Sequence, residues 1–222
     1  GGYGKRLEPF SRILPKPLLP VGSKSIIEHI LKRFYDQNFK KFITILNYKS
    51  KLIESYLKKT NFNKNIFFYT EKKILGTIGG LRNIVNKLSE TFILTNCDIL
   101  LDINYSDLLD FHNNNNFDLT IVASRKTYNI PYGYCELDKH GNLIDMKEKP
   151  SLDFLTNVGF YVINKKIVNK ISLNKKLNFD KFFQLLKKDK EIKIGVYPIQ
   201  DDLWNDIGEW TEYKKSIENL LL

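Results

Sequence analysis

Cysteine is scarce in this chain. Cys97 and Cys135 are the only two in 222 residues, and they sit in apolar, strand-like surroundings without the close spacing of a redox or zinc motif. A reducing, cytoplasmic setting is the simplest expectation. Histidine is equally thin: His29, His112 and His140 are scattered, form no metal-ligand cluster, and are expected at the surface or in turns. No apolar run approaches the roughly 18 residues that a membrane-spanning helix needs, so a soluble protein without a membrane partner is expected. Internal repeats are missing, and the polar tract Asn113 to Asn116 is too short to be a linker. Two common nucleotide loops are absent as well. There is no GxxxxGK[ST], and the opening glycines fail the GxGxxG spacing because Leu7 stands where the third glycine would be.

What remains is an ordinary globular composition, 42% hydrophobic and 27% charged, at a length that suits a single domain over residues 1–222. The net charge is 35 − 25 = +10. Its lysines are spread along helix faces and turns, without the aromatic-interleaved clusters of a strand-binding groove, so no motif supports a nucleic-acid partner. A basic surface does favour the collection of polyphosphates.

Periodicity predicts alternating elements. Ile26, Ile27, Ile30, Leu31 and Phe34 share a helical face behind a Ser25 cap. Lys41 to Asn47 reads as a strand, Leu52 to Leu57 as a helix, and Ile66 to Tyr69 as a strand. A helix near Gly79 to Leu88, a strand Thr91 to Thr95, a helix near Ser106 to Asn113 and a strand Leu119 to Ser124 continue the pattern. Short strands around Cys135, Leu143 and Phe160 suggest an antiparallel extension. Helices at Lys165 to Lys170 and Phe179 to Lys188, a strand Ile192 to Pro198 and a last helix from about Trp210 close the chain. The alternation predicts an α/β fold with a mostly parallel sheet covered on both faces. Gly1-Gly2 opens a glycine loop abruptly, and such a loop normally follows a buried strand, so a further strand, or a further domain, is expected upstream.

Four segments carry candidate chemistry. Gly1 to Lys24 combines glycines that let backbone N–H groups approach phosphate oxygens with the fixed charges of Arg6 and Lys16; its alternative is a plain surface loop. Asp98, in Asn96-Cys97-Asp98, follows a predicted strand, where a carboxylate can hold magnesium against phosphate, or merely cap a turn. Asp206, in Trp204-Asn205-Asp206-Ile207-Gly208, is the candidate second carboxylate, or again a turn residue. Glu148-Lys149-Pro150 offers a point charge for a phosphate monoester and an acceptor for sugar hydroxyls, or an ordinary surface pair.

These segments, in this order, resemble the sugar-phosphate nucleotidyltransferase family, which includes the thymidylyl-, uridylyl- and guanylyltransferases of sugar 1-phosphates. Its GGxGxRLxPxTxxxPKPxxPv-like opening is matched nearly throughout, with Ser11 in place of threonine and Lys5 in place of a small or hydroxyl residue. Leu75-Gly76-Thr77-Ile78-Gly79-Gly80, Asn96-Cys97-Asp98 for the family's NGD, Pro131-Tyr132-Gly133, Glu148-Lys149-Pro150, Asn157-Val158-Gly159-Phe160-Tyr161 and Trp204 to Gly208 match as well. Cys97 departs from the usual glycine and adds bulk beside the metal aspartate.

The resemblance implies a Rossmann-like mixed sheet with a small antiparallel sugar-binding extension. It implies that Gly1, Gly2, Gly4 and Arg6 wrap a triphosphate, that Lys16 neutralises charge at the reacting phosphates, and that Asp98 and Asp206 hold Mg2+. Arg6, Lys16 and Asp98 would carry catalysis. Glu71, Gly76 and Thr77 would receive the nucleotide base, and Gly133, Glu148, Lys149, Asn157 and Gly159 the sugar phosphate. Glu71 ahead of Leu75-Gly76-Thr77 resembles guanylyltransferases most, which favours GTP over UTP, dTTP or CTP. The chain also resembles members that follow paired regulatory cystathionine-β-synthase-type domains, among them guanylyltransferases acting on glucosamine 1-phosphate. The partners implied are a nucleoside triphosphate, a sugar 1-phosphate, and a second copy of the chain as an open question. A non-catalytic regulatory homologue is the competing reading, against which Arg6, Lys16, Asp98 and Asp206 all stand intact.

Overall fold

The computed structural model of the protein describes residues 7–208 and 213–214. A short helix α1 (Phe10–Ile13) and a 3-10 turn Lys16–Leu18 lead into the small hairpin β1 (Pro20–Val21) and β2 (Lys24–Ser25), then α2 (Ile26–Asp36), β3 (Phe42–Leu46), α3 (Ser50–Leu57) and β4 (Ile66–Thr70). A 3-10 helix Gly79–Lys87 precedes β5 (Thr91–Thr95), β6 (Ile99–Leu101), α4 (Tyr105–Asn114) and β7 (Leu119–Asn129). The hairpin β8 (Tyr134–Leu137) and β9 (Leu143–Lys147) is followed by β10 (Ser151–Asn164), α5 (Lys165–Val168), α6 (Phe179–Leu186), β11 (Ile194–Ile199) and β12 (Trp204–Asp206).

α2 shows how local sequence builds an element. Ser25 caps it in a capping box with Glu28, which satisfies donors that the first turn leaves free. At the other end Asn38 takes φ 69°, with its N–H on Tyr35 O at 3.0 Å and the N–H of Phe39 on Phe34 O at 3.0 Å. That is a Schellman stop, closed by the edge-on contact of Phe34 and Phe39 at 5.4 Å between ring centres. Ile26, Ile27, Ile30, Leu31 and Phe34 are buried on one face, as their spacing requires.

The central sheet has the order β11-β7-β10-β5 and is mixed. β7 and β11 run parallel, while β10 is antiparallel to both β7 and β5. β3 and β4 form a separate parallel pair. Helices cover both faces: Phe34 of α2 and Tyr105 and Leu108 of α4 pack on Val122, Phe160 and Val162, whereas Leu81, Ile84, Ile167 and Phe182 pack on Leu119, Tyr161 and Ile163. Phe34, stacked on Phe160 at 5.8 Å, stands at the centre of the first layer.

Several expectations need correction. The segment near Gly79 is a 3-10 helix, because Ile78, Leu81 and Ile84 are buried at strict three-residue spacing, which matches 3.0 residues per turn. The strand expected around Phe160 runs fourteen residues, since its first half pairs with an equally extended β7 through Ser151 and Asn129. His112 lies in neither surface nor turn: it is wholly buried, bonded to Thr120 Oγ1 at 2.8 Å and Asn164 Oδ1 at 3.1 Å. Cys135, placed by sequence in apolar surroundings, is exposed on the hairpin. The helix expected from Trp210 falls largely outside the described residues. No helix among the described residues is long and apolar enough to cross a membrane.

Candidate active site

The glycine-arginine loop is the part of the expected site that cannot be placed: Gly1, Gly2, Gly4 and Arg6 lie outside the described residues. Lys16 is placed well. Pro15 and Pro17 restrict the backbone around it, and the turn closes with the N–H of Leu18 on Pro15 O at 2.8 Å. Leu18 and Leu19 sink into the core, which leaves the Lys16 ammonium in an ion pair with the Asp98 carboxylate. Only 11% and 13% of the two side chains is exposed, so little water screens the pair.

Asp98 stands in the turn between β5 and β6. β12 pairs antiparallel with β6, setting Asp206 opposite Ile99, and the N–H of Ile207 donates to Asp98 O at 3.0 Å. Two aspartates from distant segments thereby become neighbours. The point where they meet is Gly208: a Cβ there would fall within 3.0 Å of Lys16 Nζ, Asp206 Oδ1 and Asp98 Oδ2 together. Two carboxylate oxygens and one ammonium thus surround a space that only a glycine leaves open.

β10 reaches the same place through a bulge between Asn157 and Tyr161. Asn157 accepts the N–H of Gly159 at 3.0 Å and donates to the Tyr161 hydroxyl at 2.9 Å. Gly159 takes φ +78°, and a Cβ there would collide with the side chain of Asn96, whose N–H donates to Gly159 O at 3.1 Å. So Gly159 abuts the segment that carries Asp98, and Asn157 holds the bulge that brings it there.

The remaining expected residues form two further groups. Glu71 is buried at the end of β4; the N–H of Leu75 reaches its carboxylate at 3.4 Å, and its other oxygen fills the space a side chain at Gly80 would need. Burial raises its pKa above the usual carboxylate range, against the partial relief from Leu75. Gly76, at φ +83°, presses on the backbone of Leu177, and Thr77 Oγ1 accepts the N–H of Phe179 at 2.8 Å. Both residues therefore anchor their loop to the entrance of α6. On the extension, Glu148 Oε2 lies 2.7 Å from where a Cβ of Gly133 would be, and Lys149 takes φ 42°. Glu148 and Gly133 are brought together, though Asn157 stands about 20 Å beyond the start of β10 at Ser151, at roughly 3.3 Å per residue.

Three contributors were given no role of their own by sequence reasoning. Asn96 matters as the neighbour of Gly159, and Gly208 as the open centre of the carboxylates. Asp201 accepts from Ser124 Oγ at 2.9 Å, Lys126 Nζ at 2.7 Å and Trp204 Nε1 at 2.9 Å, which ties β12 to β7. Its only sequence signal was an aspartate three positions before a tryptophan. Cys97, between Asn96 and Asp98, has its thiol pushed up to about 11 by burial and by the charge of Asp98, which leaves it protonated and unreactive at neutral pH.

A family model described as nucleotidyl transferase matches residues 1–221. Among curated proteins, the chain is 32% identical to a putative mannose-1-phosphate guanyltransferase of Sulfolobus acidocaldarius, over 97% of this chain and 60% of that protein. It is 28% identical to the mannose-1-phosphate guanylyltransferase of Mycobacterium tuberculosis, over 100% of this chain and 63% of that protein. The chain thus spans about 60% of the length of these relatives. Among solved structures, HddC from Yersinia pseudotuberculosis complexed with GMP-PN is similar with a TM-score of 0.74 at 23% identity, covering 99% of this chain and 96% of that one. The CTP:phosphocholine cytidylyltransferase LicC of Streptococcus pneumoniae has a TM-score of 0.69 at 19% identity, covering 99% of this chain and 96% of that one. These likenesses establish the α/β, Rossmann-like fold.

Proposed function

The chain belongs to the nucleotidyl transferase family, and from that premise we propose that it transfers a nucleoside monophosphate, GMP by preference, from a nucleoside triphosphate to a sugar 1-phosphate. The reading rests on the convergence of Lys16, Asp98 and Asp206 around Gly208. A phosphate oxygen of the sugar 1-phosphate forms a bond to the α-phosphorus, the bond from that phosphorus to the bridging oxygen breaks, and pyrophosphate leaves. A phosphate monoester has a second pKa of about 6, so the attacking oxygen is already anionic and needs no general base. The work left to the protein is to position two anions and offset their repulsion.

Lys16 is suited to that work because its ammonium is a compact point charge on a flexible stem, held beside Asp98 until a phosphate replaces the carboxylate as partner. The oxygens of Asp98 and Asp206 are hard donors on one open space, a set that fits a divalent ion such as Mg2+, which keeps its other positions for phosphate and water. Such an ion would supply charge neutralisation at the phosphates. Glu71, with an acceptor pair that matches guanine's N1–H and N2–H₂, supports GTP. The relatives named mannose-1-phosphate guanylyltransferase support the same base, and point to a hexose 1-phosphate as the second substrate, with an amino sugar as the variant to test beside it.

The test is a panel of GTP, UTP, CTP, dTTP and ATP against mannose, glucose and glucosamine 1-phosphates with Mg2+, read as pyrophosphate release. GTP is expected to lead. No release with any pair would remove the transferase reading, and release led by another nucleotide would remove the guanine assignment alone.

A further inference from the structure

Phe179, the first residue of α6, touches one candidate subsite with its backbone and another with its ring. Its N–H donates to Thr77 Oγ1 at 2.8 Å. Asn178, at the cap of α6, makes no capping bond with its side chain, so Thr77 satisfies a donor that the first turn leaves free. The chain just ahead of Phe179 is tied to the same loop. The N–H of Leu177 donates to Leu75 O at 2.8 Å, and Leu177 O accepts the N–H groups of Ile78 at 3.2 Å and Gly79 at 3.3 Å. The loop that follows Glu71 and the entrance of α6 are therefore laced into one piece.

The ring of Phe179 lies on the ring of Tyr161, with centres 3.9 Å apart and planes 17° from parallel. Tyr161 is buried, and its hydroxyl accepts from Asn157 Nδ2 at 2.9 Å. Four residues along a regular strand span about 13 Å, a separation that upright side chains do not bridge. The bond forms because β10 bulges here: Asn157 pairs with Ala123 and Tyr161 with Ile121, so β10 takes four steps (157 to 161) where β7 takes two (123 to 121). Asn157 closes the bulge at two points, on the Tyr161 hydroxyl and on the N–H of Gly159. Gly159 in turn sits against Asn96, two positions before Asp98.

We propose that Phe179 is a positioning residue that couples the nucleotide subsite to the sugar-phosphate subsite. The identity of those subsites, Glu71 with residues 75–79 and Asn157 with Gly159, rests on the transferase reading above. A nucleotide that orders the loop 75–79 fixes the entrance of α6. The Phe179 ring then fixes Tyr161, and Tyr161 holds Asn157 and the bulge in the form that receives the sugar phosphate. By linkage the reverse holds, and a bound sugar phosphate tightens the nucleotide by the same factor. The first ligand lowers the ordering cost left to the second. Such coupling suits a site for two anions, whose mutual repulsion opposes joint occupancy.

Calorimetry on the 222-residue chain tests this without turnover. The probes are mannose 1-phosphate and a GTP analogue with methylene in place of the α–β bridging oxygen, both with Mg2+. In the parent, saturating analogue is expected to tighten mannose 1-phosphate about fivefold or more, the low end of ordinary coupling. Phe179→Leu should bring that factor close to one, while Phe179→Tyr, which keeps the ring, should retain it. Tyr161→Phe keeps the stack and loses only the hydroxyl, so it should weaken mannose 1-phosphate about three- to tenfold, the effect of one hydrogen bond, and move the analogue's own affinity less. A parent that binds both ligands without coupling, a factor intact in Phe179→Leu, or equal factors in the two Phe179 variants overturns the proposal. Should Phe179→Leu fail to fold, Tyr161→Phe decides, and an unaltered affinity for mannose 1-phosphate there counts against it. A parent that leaves either ligand unbound removes the transferase reading as assigned, and the coupled subsites with it.

Discussion

Lys16 and Asp98, eighty-two positions apart in sequence, form an ion pair at the point where Asp206 also arrives. The pair holds the lysine and the carboxylate in register before any substrate is present. Replacing Lys16 with Ala is expected to lower kcat about 100- to 1000-fold, the usual cost of one preorganised charge at a reacting phosphate. Asp98→Asn should abolish the dependence of rate on Mg2+ concentration in the ordinary range. Full turnover by either variant, measured as pyrophosphate release, would show that the pair is structural.

Gly208 offers a sharper probe. It has no left-handed backbone requirement, yet a Cβ there meets Lys16, Asp206 and Asp98 at once. Gly208→Ala is expected to reduce activity at least tenfold and to raise the Mg2+ concentration needed for half-maximal rate, with little change in Tm. An alanine variant with native kinetics would mean that the space between the carboxylates is not used.

Glu71 links stability to pH. Its pKa is raised by burial, so the folded chain holds a proton that the unfolded chain has released above the ordinary value of 4.5. Stability from this group is therefore full below that value and falls as pH rises through the raised one. Glu71→Gln should be more stable than the parent near pH 7 and equal to it near pH 4, read by thermal unfolding. The same variant should lose preference for GTP over UTP, because the amide offers one acceptor and two donors where guanine needs two acceptors. An unchanged preference would detach Glu71 from the base.

Asp201 acts through Trp204. Asp201→Ala removes three acceptor contacts that hold β12 against β7, and should weaken Mg2+ use about tenfold by loosening Asp206, while Asp201→Asn keeps one acceptor for Trp204 and recovers part of the loss. Equal effects of the two variants on metal dependence would deny the positioning role.

Much of this was legible beforehand. The faces of α2, the cap at Ser25 and the strands β3, β4, β5 and β7 follow from short-range pattern, while the chemical segments were singled out by their resemblance to a family. Where the reading failed, the cause was tertiary. His112 sits on an ordinary amphipathic helix, and only the approach of Thr120 and Asn164 turns it inward. β10 looked like a short strand because its first half is exposed, so that no apolar alternation marked it. Gly76 and Thr77 are held by Leu177 and Phe179, contacts that no spacing in the sequence could indicate.

The division has a physical basis. Periodicity, capping and turn chemistry act over a few residues, so the sequence alone determined most of the helices and strands and marked the segments with candidate chemistry. Only the pairing of β6 with β12 decided that Asp98 and Asp206 share one space, and only the closeness of Gly208 to Lys16 showed how narrow that space is. Pairing between strands depends on backbone groups common to all residues, and the choice among partners is made by the packed core.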